Sequence, residues 1–286
     1  TWITMRSLIA ILKILFLVFI TLLVMVTQVF VFIIPAFRTR YIWFIPRLWH
    51  KLAARAVGIR IEKTGTDYAS THPGAGIIYA ANHASYIDIV ALGAFVKGIF
   101  VAKSEIASWP VFGFLARLQG TYFVVRHRSQ AEKQRTHLRK MIIKGMRILI
   151  FPEGTTSNGF TIYPFKASLF GSIISDELNE KTIMVQPITL AYVKYNKKDI
   201  TTQAEMDHVA WYRDDHDLVP HLWDFLKSKG VSVKLHFGNA FRVTPTDERK
   251  AIAMRLEDDV KNHFTQMQPR ALIAGLAPQS EPVKSL

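Results

Sequence analysis

The 286-residue chain contains no cysteine. Since cysteine thiols form disulfides, hold structural zinc and act as nucleophiles, this absence excludes a disulfide framework, a cysteine zinc site and a cysteine nucleophile. A cytoplasmic catalytic domain fits this composition. The sequence also lacks a Gly-x-Ser-x-Gly elbow, which leaves little support for a hydrolase with a covalent serine intermediate.

Acidic residues are scarce relative to basic ones. The chain has 22 Asp and Glu against 36 Lys and Arg, a net charge of +14, which attracts polyanions such as nucleic acids, acidic lipid head groups or phosphorylated substrates. No nucleic-acid-binding motif is evident in the sequence. The length suits one α/β domain with an appendage, because a single core serves up to roughly 250 residues.

Charge is missing altogether between Ile14 and Ile34. Such a run meets the roughly 20 residues that a helix needs to cross a hydrocarbon core of about 30 Å. We therefore predict a membrane anchor over residues 1–40, which is retained because no small-residue cleavage site follows it. A hairpin that dips into one leaflet and a buried core helix are the alternatives.

Basic residues flank this uncharged run unequally. Arg6 and Lys13 precede it, and five basic residues follow it: Arg38, Arg40, Arg47, Lys51 and Arg55. The positive-inside rule then places the catalytic body in the cytoplasm and the anchor in the inner, cytoplasmic membrane. Aromatic residues among these arginines predict an interfacial amphipathic segment at 41–60. A basic body beside anionic lipid makes membrane lipid, and not nucleic acid, the expected partner.

Short β-branched runs alternate with amphipathic segments after Gly58. Strands are predicted at Gly76–Ala80, Ile99–Ala102, Thr121–Val125, Arg147–Phe151, Met184–Tyr192 and Val231–Phe237. Helices are predicted at Ile87–Phe95, Ser129–Ile143, Ala167–Leu178, Leu218–Lys227 and Asp247–Phe264. This alternation indicates an α/β domain over residues 61–267, with ligands beyond the carboxyl ends of the strands. Prolines without a sustained period predict a disordered tail at 268–286.

His83 and Asp88 are the candidate catalytic pair. Imidazole is the commonest base for taking a proton from an attacking hydroxyl, and a carboxylate on its far nitrogen orients the ring. Five residues of continuous helix would turn the two side chains about 140° apart, so they need a strand-to-helix turn between them. Ser85 supplies a helix cap there, with Asp88 at the third helical position. The competing interpretation is that Asp88 only closes this capping box.

Four segments resemble, in order, the four sequence blocks of the glycerolipid acyltransferase family, which contains the 1-acylglycerol-3-phosphate acyltransferases. They are Asn82-His83 with Asp88, Gly120 to Arg126, Phe151 to Thr155, and Val185 to Ile188. The resemblance implies a glycerol-3-phosphate acyltransferase-like α/β fold, in which a mixed sheet flanked by helices follows the membrane helix. It also implies transfer of a fatty acyl group from acyl-CoA or acyl carrier protein to a lysolipid hydroxyl, with no metal, cofactor or covalent acyl-enzyme.

Substrate contacts are predicted for seven residues: Asn82, Lys103, Arg126, Glu153, Gly154, Thr155 and Lys166. Arg126 offers a bidentate fork to phosphate oxygens, Lys103 and Lys166 lie at segment ends, and the resemblance makes Glu153 a contact to the acceptor hydroxyl. A solvated surface charge is the alternative for each cation. A loop carboxylate paired with a lysine is the alternative for Glu153.

Thr156 is a departure from the family block, in which arginine follows Glu-Gly-Thr. The surrounding segments, 109–113 and 164–171, are similar to the lyso-ornithine lipid acyltransferase branch, whose acceptor carries no phosphate. We expect 1-acyl-sn-glycerol 3-phosphate as the acceptor, giving phosphatidic acid, and keep lyso-ornithine lipid as the alternative. An acyl thioesterase and a non-catalytic, membrane-tethered lipid-binding protein are the alternatives of other classes.

Two further groups of polar or charged residues are given no catalytic or metal-binding role. The polar cluster comprises His208, Asp214, Asp215, His216, Asp217 and His221, whose spacing is poor for a metal site, and no metal is expected. A basic helix carries Lys133, Arg135, Arg139, Lys140 and Lys144, which we interpret as a solvated or membrane-facing surface.

Overall fold

A computed structural model of the chain describes residues 2–33, 44–125, 127–172, 183–212, 217–244 and 246–268. Arg126 and residues 269–286 of the predicted tail lie outside these ranges, as does part of the predicted anchor and interfacial segment, residues 34–43. The boundaries proposed for the anchor, the interfacial segment, the domain and the tail stay predictions.

Nine α-helices occur within the described residues. They are α1 Trp2–Ile33, α2 Phe44–Val57, α3 Tyr68–Thr71, α4 Ile87–Gly93, α5 Phe112–Leu118, α6 Arg128–Ile143, α7 Gln203–Met206, α8 Leu218–Lys227 and α9 Arg249–Met267. Two 3-10 helices cover Ser104–Ser108 and Ala167–Ser172. The second lies where the helix predicted at Ala167–Leu178 begins, and there the Leu169 amide donates to the Lys166 carbonyl three residues back, at 3.0 Å. Residues 173–178 of that predicted helix lie outside the described ranges.

The strands of the described residues form one mixed sheet. They are β1 Ile59–Gly65, β2 Ile77–Ala81, β3 Ile99–Lys103, β4 Tyr122–Val124, β5 Arg147–Ile150, β6 Ile183–Tyr195, β7 Lys198–Asp199, β8 Val231–Phe237 and β9 Phe241–Val243. The main order is β1-β8-β6-β2-β5-β3-β4, with β7 and β9 paired to β6. β6 runs antiparallel to β8, while the stretch from β6 through β2, β5 and β3 to β4 is parallel. The predicted fold class, a mixed α/β sheet flanked by helices, is confirmed.

Helices cover both faces of this sheet, which is why the central strand β2 is buried along its whole length. One core contains buried residues of α2, α4 and α8, and the other contains residues of α6 and α9. Because β2, β5, β3 and β4 are parallel, their carboxyl ends share one edge of the sheet. The segments that follow β2 and β5 begin with Asn82 and Phe151, which brings the first and third sequence blocks together at that edge.

Helix α1 contains the stretch Met5–Phe30, which is long and apolar enough to cross a membrane by length and composition. Its middle nevertheless lies against the body. The Lys13 ammonium donates to the Leu226 and Ser228 carbonyls, each at 2.9 Å, at the carboxyl end of α8, where basic groups are favoured. Further along the helix, the Trp49 indole donates to the Thr21 hydroxyl at 2.9 Å. One face of α1 therefore packs on the domain, and its other faces expose apolar side chains.

Candidate active site

The turn between β2 and α4 brings His83 and Asp88 together. The Nδ1–H group of His83 donates to Asp88 Oδ2 at 2.8 Å, and Asp88 is buried with 1% exposure. The same oxygen accepts the backbone amides of Ala84 at 2.8 Å and Ser85 at 2.9 Å. Asp88 thus closes the helix start and orients the imidazole at once, so the two interpretations from the sequence describe one arrangement.

Tyr192 completes the binding of the Asp88 carboxylate. Its hydroxyl donates to Asp88 Oδ1 from the buried central strand β6. Burial, followed by the charge of Asp88, raises the pKa of the Tyr192 phenol, so the hydroxyl keeps its proton as a donor. The sequence did not identify Tyr192, and its one signal was a polar-tipped aromatic within the apolar run Leu190 to Val193.

The orientation of the His83 ring leaves its second nitrogen, Nε2, available to accept a proton. Its Nδ1–H is held by Asp88, so the neutral ring carries its lone pair on Nε2. One ring face stacks on Phe151, with centroids 3.9 Å apart and planes 16° apart. The side chain keeps 19% exposure. An oriented, partly open imidazole of this kind can accept a proton from an attacking hydroxyl.

Asn82, predicted as a substrate contact, links two strands of the sheet through hydrogen bonds of its side chain. Its amide donates to the Leu190 carbonyl at 2.9 Å and accepts the Leu190 amide at 2.8 Å. The residue is 2% exposed. Asn82 ties the end of β2 to β6, because β2 has ended and the β6 backbone still needs partners at that level. Its contact to substrate stays a prediction.

Glu153 is buried beside the turn that carries His83, and its contact to the acceptor hydroxyl stays a prediction. It is 1% exposed, and its two oxygens accept backbone amides, those of His83 at 2.6 Å and Tyr163 at 2.8 Å. The Ser157 amide in turn donates to the His83 carbonyl at 2.8 Å. Glu153 therefore holds the turn that carries His83, and the 153–157 loop binds the His83 backbone through both its amide and its carbonyl.

Four further predicted substrate residues lie within the described ranges: Gly154, Thr155, Lys166 and Lys103. Gly154 has a φ of +70°, and a β-carbon there would lie 2.8 Å from Lys166 Nζ, so the glycine lets the lysine side chain cross it. Lys166 and Thr155 are exposed. Lys103 ends β3, in register with Val124 of β4, and is exposed as well. Lys166 is the predicted cation that the structure brings directly against the third block.

Glutamine at position 153 should change how stability depends on pH. Burial raises the pKa of the Glu153 carboxyl from 4.5 to about 8, against the opposing effect of its two amide donors. A carboxyl with a raised folded-state pKa stabilises the protein fully below pH 4.5, and this contribution is lost as the pH rises to about 8. We therefore expect the melting temperature of the wild type, relative to Glu153→Gln, to fall across that interval and to stay level above it.

Differential scanning fluorimetry of the two detergent-solubilised proteins across this range provides the measurement. Glutamine keeps one acceptor for the two amides, so the variant should fold. A melting-temperature difference that does not vary with pH would mean that Glu153 is ionised throughout.

A histidine held by a buried carboxylate, at the carboxyl ends of the parallel strands of a mixed α/β sheet, is an arrangement typical of an enzyme that activates a hydroxyl. Residues 60–191 match the family model described as Acyltransferase. The chain is 35% identical over 220 residues to the lyso-ornithine lipid O-acyltransferase of Brucella abortus (strain 2308), covering 76% of this chain and 80% of that protein. It is 29% identical over 211 residues to the 1-acyl-sn-glycerol-3-phosphate acyltransferase of Neisseria gonorrhoeae, covering 73% and 76%.

The fold has a counterpart among solved structures. The crystal structure of the 1-acyl-sn-glycerophosphate (LPA) acyltransferase PlsC from Thermotoga maritima superposes with a TM-score of 0.61 at 19% identity, covering 96% of this chain and 100% of that one. The chain belongs to the acyltransferase family of these lipid enzymes. The family and the enzyme class predicted from the four blocks are thereby confirmed.

Proposed function

We propose that this acyltransferase moves a fatty acyl group from an acyl thioester, carried by CoA or acyl carrier protein, to the free hydroxyl of a membrane lysolipid. The observation that carries the proposal is the 2.8 Å bond from His83 Nδ1 to Asp88, which leaves Nε2 as the base. His83 Nε2 takes the hydroxyl proton as the oxygen attacks the thioester carbonyl. Asp88 stabilises the imidazolium. The tetrahedral intermediate then expels the thiolate, which takes that proton and leaves as the thiol.

For the acceptor, we propose lyso-ornithine lipid ahead of lysophosphatidic acid, which reverses the preference drawn from the sequence. Thr156 is half-buried next to the exposed Thr155, so the loop lacks the arginine that would clamp a phosphate at this position. The relative from Brucella abortus supports the same choice. Lys166, across Gly154, remains a cation for the acceptor's anionic group, whether that group is carboxylate or phosphate.

We propose that the protein lies in one leaflet of the cytoplasmic membrane, with its domain on the cytoplasmic side. Contacts between α1 and the body run from Lys13 to Gln28, fifteen residues or about 22 Å of helix. A spanning α1 would carry the polar loops of the body into hydrocarbon, where their backbone groups would lose water. An α1 that lies along the surface exposes its apolar faces to acyl chains without that cost.

Purified protein in detergent, offered labelled acyl-CoA or acyl carrier protein with each lysolipid in parallel, tests the function. We expect diacylated lipid to form with an equal amount of free thiol, faster with lyso-ornithine lipid than with lysophosphatidic acid. A thioesterase would release free fatty acid without an acceptor, and a lipid-binding protein would release no thiol. His83→Ala protein gives the background rate, and the reversed order of the two lipids would restore lysophosphatidic acid as the acceptor.

A further inference from the structure

The turn that precedes α5 exposes an apolar tip in a strained conformation. Val111 has φ 62° and ψ −56°, and the Phe112 amide donates to the Pro110 carbonyl at 2.6 Å, which closes a γ-turn with positive φ. A β-branched residue rarely adopts this conformation. Val111 is nevertheless 66% exposed. In water, neither the strain nor the exposure of the valine side chain is favourable.

Aromatic rings connect this turn to the catalytic turn. Phe112 packs edge-to-face on Tyr86, with ring centroids 6.3 Å apart, and Tyr86 lies between His83 and Asp88 in the chain. Trp109 packs edge-to-face on Trp211 at 5.9 Å, and the Trp211 amide donates to the Ala84 carbonyl of the catalytic turn at 2.8 Å. The position of the exposed tip relative to the base is therefore fixed by packed rings and does not depend on a loose loop.

A side-chain contact connects the other end of α5 to α1. The side-chain amide of Gln28 on α1 donates through Nε2 to the carbonyl of Leu118, the last residue of α5, at 2.7 Å. Phe114, between the turn and this contact, is 44% exposed, and Arg117 is exposed beside it. Seven-residue α5 is only about 10 Å long, so the exposed Val111 and Phe114 lie close to α1, whose outward faces are also apolar.

We propose that the 109–114 turn is a second membrane contact, which inserts Val111 and Phe114 into the leaflet that holds α1. The inference rests on the membrane association proposed above. Apolar and aromatic side chains followed by an arginine are the composition of an interfacial membrane segment, with the guanidinium at the level of the lipid phosphates. Because the rings of Tyr86, Phe112 and Trp109 tie this segment to the catalytic turn, the insertion sets His83 at the depth of the lysolipid hydroxyl.

The absence of cysteine from the native chain makes a direct test possible, because each single-cysteine variant carries one thiol. We would label Val111→Cys with an environment-sensitive nitrobenzoxadiazole dye and add vesicles of phosphatidylethanolamine and phosphatidylglycerol containing nitroxide lipids. Phe19→Cys on α1 is the reference for insertion, with 62% exposure of the native residue. Met254→Cys is the matched control, since Met254 is 63% exposed on α9, which packs on the opposite face of the sheet.

We expect vesicles to shift the emission at positions 19 and 111 to shorter wavelength and to quench both, with no change at position 254. Quenching at 19 while 111 behaves like 254 would overturn the second contact and leave the membrane association standing. No quenching at 19 would overturn the membrane association itself. As a functional companion, Val111→Asp should lower turnover of vesicle-presented lysolipid about tenfold relative to Met254→Asp, and equal rates for the two variants would contradict the proposal.

Discussion

Alanine in place of His83 is expected to lower acyl transfer by about 10²- to 10⁴-fold, the usual contribution of a general base. The variant loses Nε2, the atom that takes the hydroxyl proton, and it also loses the ring that stacks on Phe151. The side chain is 19% exposed, so its removal leaves the buried core intact. Thiol release from acyl-CoA in the presence of the lysolipid, followed with a thiol reagent, measures the effect.

His72→Ala is the matched control for this substitution. His72 stacks on Tyr68 just before β2, at the amino end of a strand whose carboxyl end leads to His83. The control should keep its activity, and both variants should bind membranes as the wild type does. Transfer at a near-normal rate in His83→Ala would contradict the mechanism.

Asparagine in place of Asp88 should separate the two tasks of this carboxylate. We expect a rate loss of about 10³- to 10⁴-fold, comparable with the change of carboxylate to amide in a serine-protease triad, because the imidazolium loses its counter-charge. The amide oxygen can still accept the Ala84 and Ser85 amides, which the carboxylate accepts at 2.8 and 2.9 Å. Thermal stability should therefore be close to that of the wild type.

Asp88→Ala is the companion variant, because it removes the acceptor as well as the charge. It should lose activity to the same degree and also lose roughly 1–3 kcal/mol of stability, the cost of leaving buried amides without partners. Parallel measurements of turnover and melting temperature distinguish the variants. If Asp88→Asn retained most of the turnover, Asp88 would be a cap alone.

Sequence patterns predicted the elements of this fold well where burial is strong. All six predicted strands are present, with ends within three residues of the observed ones. β1 was not predicted, because Arg60, Glu62 and Lys63 interrupt its apolar pattern, as is common in a strand at the edge of a sheet. The short strands β7 and β9, with two and three residues, were not predicted either.

The sequence predicted those parts of the site whose residues lie close together in the chain. His83 and Asp88 are five residues apart, and a turn between them suffices to join them. Asn82 and Glu153 bind backbone groups of residues 108 and 70 positions away, and backbone partners leave no mark on a sequence. The glycine at 154 indicated close approach correctly, but only the structure shows that Lys166 is the group that crosses it.

Lys13 makes the anchor helix α1 part of the packing of the domain, and not only a contact to the membrane. Its ammonium satisfies carbonyls at the end of α8, and Ala10 and Ile20 on the same face of α1 are completely or almost completely buried. The anchor is consequently not an interchangeable module. If another helix of equal hydrophobicity replaced α1, those carbonyls would lose their donor and the core beneath α1 would be exposed. Evolution can therefore vary the lipid-facing side of α1 freely. The side that faces the domain must change together with α2 and α8.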